Sequence, residues 1–123
     1  MTVAPDPARV ALGDLAVSLR ENAAALEAAA DRADELVAAR DSGRAYREIV
    51  PNERRPLVVE TISKVLDSLA RVGSRWRREE ARALHAEGMS MDAIARLFGV
   101  TRQRVSTLIR SGAAASAYDG QGS

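Results

Sequence analysis

From Pro7 to about Ala39 nothing in the sequence interrupts a helix except Gly13, and the apolar residues keep one spacing throughout. Leu12, Leu15, Leu19, Asn22, Leu26, Ala29, Ala33 and Leu36 recur at intervals of three and four residues, a seven-residue repeat. At about 100° per residue such positions gather on one side of a helix, whereas a strand would need alternation by two. Asp6 can cap this helix, and Pro7 is tolerated in its first turn, where a missing N–H has no helical partner. Asp14, Arg20, Glu21, Glu27, Asp31, Asp34 and Glu35 fall off the seam. Ala11, Ala16, Ser18, Ala23, Ala25 and Ala30 flank it, where a two-stranded coiled coil usually carries charge. So wide a small-residue face favours a compact bundle, and a helix bearing it is not stable alone. The pattern predicts packing against the rest of the chain and against a second copy. Asn22 has two readings of equal weight: a buried amide that fixes register, or a solvated residue at the bundle edge.

Asp41-Ser42-Gly43 closes this helix, and Arg44–Val50 has room for one further turn. Val50 to Pro56 is a connector, because each proline disfavours helix in the residue before it. Its Arg54 and Arg55 are expected to be solvated, with phosphate contact as the lesser reading. A second helix is predicted from Pro56 to about Val72, with Val58, Ile62, Val65, Leu69 and Val72 at spacings of four and three beside Val59 and Leu66. Dimer core and intrachain hairpin fit it equally well. The candidate dimerisation set is therefore Leu12, Leu15, Leu19, Asn22, Leu26, Leu36, Val58, Ile62, Val65 and Leu69. Gly73-Ser74 is read as a break, with Ser74 capping a further helix to Glu87 that Gly88 ends. Trp76, Ala83 and Leu84 form its packing face, and Arg75, Arg77, Arg78 and Arg82 gather toward its start.

The stretch Met91–Arg110 reads as two short helices joined by a tight turn. Ser90 caps the first, and Ile94, Ala95, Leu97 and Phe98 give it an apolar face. Ala95 is the small residue that two closely crossing helices require. Gly99 supplies the left-handed turn conformation, Val100 re-enters the core and Thr101 caps the second helix. Val105, Leu108 and Ile109 form its buried stripe. Gln103, Ser106, Thr107 and Arg110 then point outward, flanked by Arg102 and Arg104. That outer face holds hydrogen-bonding and cationic side chains and no carboxylate, which suits a helix in a DNA major groove.

Ile94, Ala95, Phe98, Gly99, Val100, Val105 and Leu108 match the spacing of the bacterial helix-turn-helix. The stretch from Ser74 to Gly112 resembles the three-helix type found in sigma-factor region 4, resolvase-type recombinases and many small regulators. That resemblance implies a trihelical DNA-binding unit over 73–112, whose recognition helix spans Thr101–Arg110. Base contacts would come from Arg102, Gln103, Ser106, Thr107 and Arg110, with Gln103 suited to adenine and Arg102 or Arg110 to guanine. Phosphate contacts would come from Arg75, Arg77, Arg78, Ser90, Thr101 and Arg104, which position without reading sequence.

The whole is expected to be all-α: a lead over 1–6, a dimerising helical bundle over 7–72 built from the alanine-rich helix and the second helix, the C-terminal helix-turn-helix over 73–112, and a mobile tail over 113–123. The net charge of +1 hides an asymmetry. Residues 1–41 carry eight acids against four bases, while 71–110 carry nine arginines against four acids. One end is thus suited to phosphate and the other kept off it. Cysteine is absent, which excludes disulfides, cysteine zinc sites and thiol catalysis and fits a reducing compartment. The opening residues lack the cationic start and apolar core of a signal peptide, and no stretch is long enough to span a membrane. His85 stands without a second metal ligand, and no nucleophile or acid–base constellation suggests an enzyme. No cofactor is expected. The sequence therefore points to a cytoplasmic, nucleoid-bound homodimer that binds double-stranded DNA and regulates transcription. An architectural nucleoid-associated protein is one alternative. Another is an interaction module whose alanine-rich helix docks on a protein such as RNA polymerase. A small-molecule sensor stays open.

Overall fold

The computed structural model describes residues 5–119, with side chains described for 5–111. Among the described residues there are five helices and no strand: α1 (Pro7–Asp41), α2 (Tyr46–Ile49), α3 (Val58–Ala86), α4 (Met91–Phe98) and α5 (Arg102–Asp119). The protein is all-α, as its composition and periodicity predict. No helix among the described residues is long and apolar enough to cross a membrane.

Local chemistry sets most helix boundaries. Asp6 accepts the Arg9 N–H at 3.0 Å, Ser90 the Ala93 N–H at 3.1 Å and Thr101 the Arg104 N–H at 3.0 Å, so α1, α4 and α5 each start on an oxygen cap. Three helices end on a glycine. Gly43, Gly88 and Gly99 have φ of 96°, 100° and 68°, a region that costs an L side chain about 1–2 kcal/mol. After each, the next N–H reaches back five residues: Arg44 to Ala39, Met89 to Leu84 and Val100 to Ala95. These bonds satisfy carbonyls that the helix end would leave open.

The expected break at Gly73-Ser74 is not there, because α3 runs unbroken across it and Ser74 caps nothing. Gly73 keeps an ordinary helical φ. An interior glycine costs only about 1 kcal/mol, less than the packing of the half-buried Val72, Ser74 and Trp76 around it. The helix also starts later than Pro56. Its first residue is Val58, whose N–H donates to the Glu53 carboxylate at 2.7 Å. At the other end, α5 does not stop near Arg110 but continues to Asp119, through the Ala113–Ala115 run that favours helix most strongly. The expected tail from residue 113 is thus helical as far as Asp119, and 120–123 lie outside the described residues. The expected lead over 1–6 likewise lies mostly outside them.

The chain forms two compact units. One is Ala16–Arg71, and the other joins α1 up to Leu15 with everything from Val72. The start of α1 therefore belongs with the C-terminal helices and not with a bundle over 7–72. An ion pair between Arg75 and Asp14, 2.6 Å apart, lies within this second unit.

The Ala16–Arg71 unit is a helical hairpin with a short connector. Its α1 turns part of the predicted seam inward. Asn22, Ala29, Ala33 and Leu36 of that seam are buried or half-buried, whereas Leu19 and Leu26 are exposed. Ser18, Ala25 and Arg32 take the remaining inward positions and keep the three-four spacing. Small residues let the helices come close enough for direct hydrogen bonds. The Ser18 and Ser68 hydroxyls lie 3.0 Å apart, and the Asn22 amide donates to both, at 3.2 and 3.3 Å. Asn22 is thus a half-buried register residue of the hairpin itself. Farther along, Arg32 is 4% exposed and donates to Thr61 Oγ1 at 2.7 Å, with its Nε 3.9 Å from the Glu53 carboxylate. Ile49 of α2 is also buried, and Arg40 stacks on the Tyr46 ring at 4.3 Å.

Candidate nucleic-acid interface

The C-terminal unit is organised on a core of Ala81, Ile94, Ala95, Val105 and Leu108, each 7% exposed or less. Leu84, Met89, Met91, Phe98 and Ile109 pack around it. Ala95 stands where α4 meets α5, and its methyl is small enough to let them cross closely. Trp76 of α3 stacks on Phe98 with ring centroids 6.0 Å apart, which makes it a packing anchor. Ala81, which does not belong to the expected Trp76/Ala83/Leu84 face, is fully buried, whereas Ala83 lines a cleft of about 410 Å³ with Pro7, Ala8 and Arg82. A continuous α3 turns one side to α1 and another to α4 and α5, and a single expected face could not describe both. Two further expectations need correction. Leu97 is 63% exposed and Val100 37%, so neither belongs to the core. Within α4, Ile94 and Ala95 already fill the space that α5 covers.

This core holds α5 with a defined outer side. Between α4 and α5 lie only Gly99, Val100 and Thr101, so the turn glycine and the Thr101 cap together aim the first turn of α5. Arg102, Gln103, Thr107 and Arg110 are exposed and Ser106 is half-buried, so all five candidate base contacts share the accessible side of one helix. The first turn of α5 contains no acid. Its free N–H groups and the cations Arg102 and Arg104 make an electropositive start to the helix. Arg102 lies 3.8 Å from the exposed Asp92 carboxylate, which orients its guanidinium in the absence of another anion. The Thr107 hydroxyl donates to the Gln103 carbonyl at 3.1 Å, leaving its oxygen able to accept.

The candidate phosphate contacts divide into three kinds. Arg77 and Arg104 are exposed and make no ion pair among the described residues. Arg75 is engaged by Asp14, and Arg78 is half-buried with an unpartnered Nε. Ser90 and Thr101 accept backbone N–H groups as caps, while each hydroxyl hydrogen remains able to donate to a phosphate. Arg96, exposed on α4 and without an ion pair among the described residues, is an additional cation that the periodicity argument passed over. His85 is exposed on α3, its Nδ1 3.3 Å from the Met89 carbonyl.

The connector arginines are largely exposed to solvent, as expected, and each also has a carboxylate partner. Arg54 donates two hydrogen bonds to Glu35, and Arg55 pairs with Glu60 at 2.6 Å. The Arg54 hydrogen bonds hold the Glu35 carboxyl below its ordinary range and raise the guanidinium in return. Of the candidate dimerisation residues, Val65 is buried and Leu15, Asn22, Leu36, Val58 and Leu69 are half-buried within their own chain. Leu12, Leu19, Leu26 and Ile62 are 44–49% exposed. Among the described residues no group of His, Cys, Asp and Glu side chains could hold a metal ion. No protein-family model, curated protein or solved structure matches this chain.

Proposed function

We propose that the C-terminal unit is a helix-turn-helix that binds double-stranded DNA sequence-specifically, and that the protein regulates transcription as a homodimer. The observation that carries this reading is the outer side of α5, where Arg102, Gln103, Thr107 and Arg110 stand exposed on a helix held from behind by Val105 and Leu108. A major groove admits one helix, and these side-chain types are those that pair bidentately with guanine and adenine edges. Gln103 reads adenine. Arg102 exchanges Asp92 for a guanine edge or a phosphate. Arg77, Arg96 and Arg104 hold the backbone, and the Ser90 and Thr101 caps donate to phosphates. A two-fold dimer would read inverted half-sites about 34–36 Å apart.

Selection of bound duplexes from a random pool at physiological salt tests this reading. It should return a palindromic motif, and the Gln103→Ala variant should return one with altered preference. Loss of a bidentate contact costs about 1–3 kcal/mol of discrimination, so the shift is measurable. Unchanged relative affinities with Gln103→Ala would refute direct readout by this residue. A second reading rests on Leu97, which is 63% exposed on α4 and would suit contact with a protein. It predicts no retention of duplex DNA at any salt concentration.

A further inference from the structure

The hairpin leaves five large apolar residues outside on α1 and α3. Leu19 and Leu26 on α1 are 49% and 44% exposed, and Val59, Ile62 and Leu66 on α3 are 61%, 47% and 63% exposed. At 100° per residue, both sets stand on the same side of the antiparallel pair. Ala23 and Ala30 fill the intervals on α1, and no charged residue interrupts that side between Leu19 and Ala30 or between Val59 and Leu69. The five large side chains leave on the order of 500 Å² of apolar surface in water, near the largest patch a monomer keeps and over half of one partner's share of a standard interface.

The layout of this side is symmetric. Leu19 and Leu26 centre on Ala23, and Val59 and Leu66 centre on Ile62. The Ser18–Ser68 contact at 3.0 Å puts those two centres level, within about one residue rise. A single two-fold axis across the hairpin therefore superimposes leucine on leucine in α1 and valine on leucine in α3. Just outside the leucines, exposed Arg20 and Glu27 are related by the same axis. Apolar continuity, area and charge complementarity agree on one occupant.

We propose that a second copy of this chain docks on the Leu19/Leu26/Ile62/Leu66 side about that axis. Each α1 lies antiparallel on the other α1, each α3 antiparallel on the other α3, and the Arg20 of each copy faces the Glu27 of the other. The result is a four-helix bundle whose middle layer is the leucine side. A C2 interface is self-complementary by necessity, and this surface meets that condition with charge as well as shape. The small-residue seam inside each hairpin and the leucine seam between hairpins then divide one wide apolar face between two partners. This side gives the homodimer of the DNA reading its interface and rests on that reading for its role, but the association is measured without DNA.

Sedimentation equilibrium of the full chain from about 1 to 200 μM tests it. The wild type should sediment at twice the 13.2 kDa chain mass. Leu66→Asp should raise the dimer dissociation constant at least about 100-fold, since the dimer would have to bury an unpaired carboxylate. Its helical circular dichroism should be unchanged, because Leu66 is largely exposed within its own hairpin. Val17→Asp, at a residue 54% exposed away from this side, should leave the dimer intact. Glu27→Arg should weaken association, and Arg20→Glu combined with Glu27→Arg should restore it. A wild type monomeric throughout the range would overturn the proposal and assign the surface to a different polypeptide. A Leu66→Asp protein that still dimerises would overturn it equally, and failure of the charge exchange to rescue would overturn the antiparallel register.

Discussion

The two units of this protein bury different kinds of side chain. The C-terminal unit closes over branched residues as well as alanines, with Ile94 and Val105 fully inaccessible and Leu108 nearly so. The Ala16–Arg71 hairpin closes over Ala29, Ser18, Thr61, Ile49, Val65 and the arm of Arg32, and leaves Leu19, Leu26 and Leu66 at the surface. In the first case side chains from α3, α4 and α5 converge on one core, and the space between three helices must be filled with volume. In the second, two long helices run side by side. Their contact is a narrow line, best served by small residues that allow backbones to approach and hydroxyls to bond. Ile94, Val105 and Leu108 are thus core in one unit, whereas Leu19, Leu26, Ile62 and Leu66 stay at the surface of the other, which buries only Ile49 and Val65 among its large apolar residues.

The comparison is most sharply tested at Ile94. Its truncation in Ile94→Ala leaves a cavity that three crossing helices cannot easily collapse, and about 4 kcal/mol of stability should be lost in urea unfolding followed by circular dichroism. In the hairpin the most sensitive position is polar. Arg32→Ala removes the partner of Thr61 and leaves the Glu53 carboxylate, 3% exposed, without its nearby cation. A loss of about 3 kcal/mol is expected, and Arg32→Met with Glu53→Gln should recover most of it. An effect below 1 kcal/mol from Arg32→Ala would remove the buried cluster from the account.

Next in size is a pair of substitutions of opposite sense. Ala29→Leu enlarges a residue on the close seam and should destabilise by about 2 kcal/mol, whereas Leu26→Ala removes far more apolar volume from a chain that does not bury it. In the monomeric Leu66→Asp background, Leu26→Ala should shift the unfolding midpoint by less than about 0.5 kcal/mol equivalent. If Leu26→Ala proves the costlier of the two there, the inward seam has been assigned to the wrong side of α1.

The smallest effect belongs to the exposed Glu35–Arg54 pair. A carboxyl whose folded value is lowered contributes stability that is full above its ordinary titration range and disappears as pH falls through the lowered value. The wild-type advantage over Glu35→Gln should accordingly be confined to neutral pH, vanish in acid, and shrink with added salt, since both groups lie in solvent. An advantage that persists in acid would mean the pair is not its source.

Much of the C-terminal unit was legible from adjacent residues. Ser90, Gly99 and Thr101 act through atoms three to five positions away, and local geometry requires that side-chain chemistry wherever the segment sits. Ala95, Val105 and Leu108 followed from period alone, because α4 and the first turns of α5 each have a single apolar stripe. Leu97 and Val100 were misjudged because apolar character does not reveal which of several neighbouring positions the partner helix reaches. Arg75 resembled a phosphate contact until Asp14, sixty-one residues away, engaged it. That pairing leaves no mark in the sequence around either residue.

By itself, the sequence determined that this chain is helical, where α1, α4 and α5 begin, that α1 and α4 end on glycine, and that a carboxylate-free face follows Thr101. Those properties depend on backbone hydrogen bonds and dihedral preferences that act within one turn. Only the tertiary structure decided that Gly73 lies inside a helix, that α1 turns its alanines inward, and that Arg32 is buried. A seven-residue repeat specifies a spacing but not a rotation about the helix axis. The rotation follows from how closely a partner helix can approach, and that distance is a property of two segments folded together.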